Sequence, residues 1–433
     1  MISPRLRVIP LSHCLAGSLA IACAGSPGKT ERAHAQAVEA PPSPSPAPSP
    51  SPALEGQDFG PEARVLFRVV ACTGDEPLPP HVDAATLEAH CAWLKSRIAD
   101  FKTGYMAKAG PFLAALRPQD LPKTVVYPFG GGDLLSALTS YPDATDITTL
   151  SLEHAGDPRR VKDLDTERLK RSLDQLRRRI RGLFAYNEST SENLMQMQRG
   201  DLPGELSFFL VALAVHGYEP VSLRFFEVRP GGTLHYYGPE EIAADEKTAA
   251  KRLRAVWVSP DFSEAFSNME LTFRPAGGGP IRVHRHFAAD LSDDHLKKDP
   301  SVIQYLETKG PVAAMTKAAS YLLWNPGFSR IRDYLLKNMV FMFSDSTGIP
   351  PRYAQEAGFV QETYGRFTGS FLLATKSVNE DFRKLWASQP LRDMTFRYGY
   401  PDASNFSHLV VTRRPRAGET AKAATPEPSS PPR

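Results

Sequence analysis

Residues 124–156 read TVVYPFGGGDLLSALTSYPDATDITTLSLEHAG. Thr124 to Phe129 is a short apolar run of strand length, Gly130, Gly131 and Gly132 make a turn, and Asp133 opens a helix that runs to about Tyr141. A second strand-like run, Asp146 to Leu152, ends at the acidic Glu153. So short a helical connector suits the right-handed crossover between parallel neighbours, and the stretch therefore predicts a βαβ unit.

Outward from this unit, helices and strands continue to alternate. The pattern predicts a strand at 64–71 and helices at 83–99, 110–116, 165–183 and 204–216. Two hairpins follow, VSLRFFEVRPGGTLHYYG and MELTFRPAGGGPIRVHRHFAADL, each with strand-like runs around a glycine turn. Helices at 310–323 and 328–337 lead into the strand VFMFSD. The chain then closes with a strand, a helix and a final pair, MTFRYGY and SHLVVTRR. The expected class is α/β, a three-layer Rossmann-like sheet with antiparallel hairpin additions, in a single domain spanning 54–412.

Composition narrows the function. The chain has 433 residues, 42% hydrophobic and 23% charged, enough for one large core. With 51 basic against 48 acidic residues the net charge is +3, so no global field gathers nucleic acid, and none is expected as a partner.

The N-terminus reads as an address. Arg5 and Arg7 precede an apolar stretch from Val8 to Ala22, the layout of a secretory signal peptide over residues 1–22. Its end, Leu19-Ala20-Ile21-Ala22-Cys23, resembles the bacterial lipobox, in which the cysteine carries the lipid. Cleavage at AHAQA without lipid is the alternative. The apolar run is too short to span a bilayer. Residues 23–53 hold PPSPSPAPSPSP, extended polyproline II that serves as a spacer between membrane and domain. The tail 413–433 is poor in apolar residues and is expected to be disordered. These features predict a lipoprotein of the bacterial cell envelope, with the membrane as a partner; Ala24 after the cysteine, rather than aspartate, favours the outer membrane. With Cys14 in the signal and Cys23 lipidated, Cys72 and Cys91 remain. They either pair as a disulfide, which an oxidising compartment permits, or stay as two buried thiols.

Three stretches hold candidate site residues. In the first, Gly130, Gly131, Gly132, Asp133 and Glu153 have the spacing of a nucleotide-binding βαβ unit. Leu135 stands where the dinucleotide fingerprint has its third glycine, and Asp133 is a helix N-cap that would itself occupy the end a phosphate uses. No cofactor is expected, since nucleotide cofactors are scarce outside the cytoplasm. The second is Val340 to Ala354, VFMFSDSTGIPPRYA: Asp345 as base or ligand, Ser346 as donor, Arg352 as anion clamp and Tyr353 beside it, or else an Asx turn with Arg352 in an ion pair. The third is His284 and His286, which alternate on a strand and so share a face, the weak beginnings of a metal site. Nucleophile-elbow, Walker, HExxH and SxxK signatures are absent.

The βαβ stretch, with its glycine loop and an acid ending the second strand, resembles Rossmann-like methyltransferases. YPFGGGDLLSAL, KAASYLLW, FSRIRDYLL and SDSTGIPPRY together resemble an uncharacterised family of secreted or lipid-anchored bacterial proteins. That likeness implies that the glycine loop and the Asp345 loop belong to one site. Two functions remain open: an envelope lipoprotein that binds a small polar ligand or an envelope protein, and a periplasmic transferase or hydrolase using Asp133, Glu153 and Asp345.

Overall fold

A computed structural model describes residues 55–185, 200–249, 262–317, 319–368, 376–399 and 406–416. The signal, Cys23, the proline-rich spacer and the end of the tail lie outside the described residues.

The core is a ten-stranded sheet in the order β4-β3-β5-β6-β2-β1-β7-β8-β10-β9. The strands are β1 (Thr124–Pro128), β2 (Asp146–Ser151), β3 (Tyr218–Arg229), β4 (Thr233–Tyr236), β5 (Asn268–Pro275), β6 (Arg282–Ala288), β7 (Val312–Met315), β8 (Met339–Ser344), β9 (Val360–Gly365) and β10 (His408–Arg413). Five neighbours, β6-β2-β1-β7-β8, are parallel; β5 joins β6, and β10 joins both β8 and β9, antiparallel. Both predicted hairpins form, β3 with β4 and β5 with β6.

The βαβ reading holds in register, from Thr124 opposite Asp146 to Pro128 opposite Leu150. On one face lie α1 (Gly60–Ala71), α2 (Ala84–Phe101), α3 (Ala107–Leu116), α4 (Leu134–Ser140), α5 (Thr166–Ala185) and α6 (Gly204–His216). Their apolar residues share a core with Val125, Tyr127, Phe341 and Phe343 of the sheet. After α7 (Pro239–Ala249), the other face is covered by α8 (Asp293–Lys298), α9 (Ser301–Glu307), α10 (Ser329–Asn338) and α11 (Pro351–Glu356), which pack on Val126, Ala314 and Met342. α12 (Lys376–Ala387) closes a smaller cluster with Phe367 and Val410. The result is a three-layer α/β sandwich of Rossmann-like form.

Three expectations need correction. Residues 64–71 are not a strand but most of α1: Ala63, Leu66, Phe67 and Val70 are buried at helical spacing, Pro61 starts the helix, and Cys72 ends it in the left-handed conformation. Residues 310–323 are not a helix. The alanines of β7 lie inside a sheet buried on both faces, where packing overrides their helix propensity, and a 3-10 turn over Ala319–Trp324 follows. MTFRYGY forms no strand over its described residues 394–399.

Cys72 and Cys91 form a disulfide, with Cα atoms 5.4 Å apart, that ties the end of α1 to α2.

Candidate functional site

Strand order reverses between β1 and β7, because the chain leaves β1 toward β2 on one side and returns on the other. In open α/β sheets, ligands bind at the strands' carboxyl ends beside such a switch point. Here that crevice holds a buried cluster of charges.

The loop after β1 makes the turn with two left-handed residues, Phe129 (φ 58°) and Gly131 (φ 49°). Gly130 ties it to β2 through its N–H, which donates to the Leu150 carbonyl at 3.0 Å, and a Cβ there would lie 2.9 Å from the Tyr127 ring. A left-handed phenylalanine is a strained residue, and such strain concentrates at functional loops. Asp133 then caps α4, its Oδ1 accepting the Ser136 N–H at 3.1 Å. Its Oδ2 accepts from Lys317 Nζ at 2.8 Å and from the Tyr127 hydroxyl at 3.1 Å. Lys317, just beyond β7, also donates to Ser136 Oγ at 2.7 Å. Burial holds the Lys317 ammonium below its usual pKa, against the pull of Asp133 and Asp345.

Asp345 follows β8 and is fully buried. Its Oδ1 accepts the Thr347 N–H at 2.9 Å and the Thr347 hydroxyl, an Asx turn, while the backbone of Gly399 (φ 64°) closes on Oδ2. Its charge acts on Lys317, Tyr127 and Tyr398, so the Asp345 loop and the glycine loop converge on one cluster. Tyr398, also buried, has a hydroxyl without a hydrogen-bond partner among the described residues. Ser346 Oγ lies 2.8 Å from His408 Nε2. The amide that follows this serine, the usual first donor of an oxyanion hole, is already committed to Asp345, so the pair lacks one element of a nucleophilic site.

The remaining candidates sit elsewhere. Glu153 follows β2, its carboxyl raised in pKa by burial beside the Ser151 hydroxyl. Arg352 pairs with Asp381 on the surface, and Tyr353 lies under the Arg332 guanidinium at 4.1 Å. His284 and His286 do share a face, but they are buried and form a relay rather than an exposed pair. His286 Nε2 meets the Glu153 carbonyl at 2.8 Å, while Thr149 Oγ1 lies 3.0 Å from His286 Nδ1 and 2.9 Å from His284 Nε2. Three of the four ring nitrogens are thus engaged. No group of three His, Cys, Asp or Glu able to hold a metal occurs among the described residues.

The cluster offers two carboxylates, one ammonium and several hydroxyls. Asp133 already occupies the positive end of α4, the place where a phosphate would otherwise be favoured. Sequence reading missed Lys317, Tyr127, Ser136, Tyr398 and His408. One signal for Lys317 was present: it is the only charge between Val312 and Phe328.

No protein-family model, curated protein or solved structure matches this chain.

Proposed function

We propose that the protein is an exported, lipid-anchored envelope protein that binds a small polar, non-anionic ligand in the crevice between β1 and β7. The observation that carries this reading is the Asp133–Lys317–Asp345 cluster at the switch point, buried beside a strained loop. A salt bridge so buried is a poor source of stability, because desolvation of both charges offsets their attraction. A binding role gives it a reason. The Cys72–Cys91 disulfide agrees with an oxidising compartment, and the lipobox-like Cys23 with an anchor.

The test is a thermal-shift screen of sugars, polyols, amino acids, nucleosides and S-adenosylmethionine. It compares the wild type with the Asp133→Asn/Lys317→Met double variant, which removes both charges together. A ligand that raises the melting temperature of the wild type only supports the reading. If no compound shifts the wild type, or the double variant responds equally, the reading fails.

A second reading, catalysis, is favoured by the burial of Lys317 between Asp133 and Ser136, which lowers its pKa in the direction that eases proton release. S-adenosylmethionine distinguishes a transferase: bound at a hundredfold excess over its dissociation constant it would add about 2.7 kcal/mol of stability. We expect no shift, since Leu135 is buried in the core where the fingerprint glycine would be.

A further inference from the structure

Glu205 lies in the first turn of the 13-residue helix α6. It is fully buried, and among the described residues neither of its carboxyl oxygens has a hydrogen-bond partner. The charge that acts on it among the described residues is another carboxyl, that of Glu153. The position is rigid: the Leu206 N–H donates to the Ala155 carbonyl at 3.1 Å, and Gly156, in the left-handed region, lets Pro203 pack directly on it. A buried carboxyl left with no donor keeps the full penalty of its lost hydration, and more so if charged. Native structures seldom keep such a group without use.

We propose that Glu205 and Glu153 form a second binding subsite, one that takes an organic cation, a primary ammonium or guanidinium group. Glu153 already accepts hydrogen bonds from the Ser151 hydroxyl and from nearby backbone N–H groups, whereas such a cation supplies at once what Glu205 lacks, an N–H donor and positive charge. Hard divalent metals need six or more oxygens or several retained waters, which two carboxyls do not provide. Glu153, 7% exposed beside Leu152 at 61%, is the member of the pair nearer the surface. The subsite rests on Glu205 and Glu153 and uses neither Asp133 nor Lys317, so it stands apart from the crevice reading.

Burial raises both carboxyls in pKa, against the hydrogen bonds that Glu153 accepts, and the like charge of Glu153 raises Glu205 further. A proton therefore stands in for the cation when the subsite is empty, and the cation must displace it. Binding should strengthen as pH rises.

The experiment titrates the full chain with agmatine and with putrescine at pH 6 and pH 8, followed by melting temperature. Controls at equal ionic strength are 1,4-butanediol, succinate and potassium chloride. The expected result is a rise of several degrees with the amines, larger at pH 8, and none with the controls. Glu205→Gln and Glu153→Gln, which keep shape and remove charge, should each abolish it, while Asp133→Asn/Lys317→Met should retain it. Four results would overturn the proposal: no amine response in the wild type, the same response in either Gln variant, an equal response to a control, or loss of the response in the crevice double variant.

Discussion

Lys317 is held at 2.8 Å from Asp133 with almost no exposed surface, and the energetic consequence is asymmetric. Lys317→Met alone leaves a buried carboxylate without its cation and should destabilise by about 3–5 kcal/mol, whereas the double change with Asp133→Asn should cost much less. Chemical denaturation of the four proteins of that cycle checks this. Asp133 was legible because a residue after a glycine turn and before an apolar run reads as an N-cap. Its partner was not, because the ion pair joins positions 184 residues apart. The same scale holds the disulfide. Reduction releases a loop of 19 residues, worth about 3 kcal/mol, so the melting temperature should drop by several degrees in reductant.

At the scale of elements, the glycine loop and β7 show what patterning can and cannot tell. The βαβ unit was readable since its strands, turn and cap are all local, and each signal agrees with the others. α1 was misread because Val65, Val69 and Val70 carry strand propensity, while its burial follows a helical period. β7 was misread because VAAM has no alternation and is too short to separate strand from helix. That second error hid the site, for it placed Lys317 inside a helix instead of at a strand's carboxyl end. The loop itself makes a prediction. Gly131→Ala forces a side chain into φ 49° and should cost about 1 kcal/mol, a small drop in melting temperature with the fold retained. Gly130→Ala should cost more, since its Cβ would meet the Tyr127 ring.

Across the whole molecule, buried titrating groups set the pH range of stability. Burial lowers His216 and His286 to about 4, and His284 well below its usual value. These rings are neutral in the fold and gain protons first in the unfolded chain. Their contribution is complete above pH 6.5 and is lost as pH falls toward 4, on the order of 3 kcal/mol for each of the first two. Glu205 and Glu153, raised in pKa, act oppositely: their contribution is present below the usual carboxyl range and is lost as pH rises through their folded values. Urea midpoints should therefore pass through a maximum with pH, and Glu205→Gln should flatten the alkaline side. The anchoring proposal is also a statement about the whole chain. The mature protein should partition with membranes, and Cys23→Ser should abolish lipid labelling while the domain still folds. A mature N-terminus found beyond Cys23 would remove that claim.

The position of β10 bears on how such a chain reaches its final state. It is the last strand in sequence among the described residues, yet it lies inside the sheet, hydrogen-bonded to β8 on one side and β9 on the other. Until His408–Arg413 has been synthesised, β8 lacks a neighbour on one edge, β9 lacks its ladder, and Ser346 lacks His408. Completion of this sheet thus waits for residues 408–413. If the proposed export holds, such delayed closure would keep the chain threadable through a translocation channel until the last strand is available.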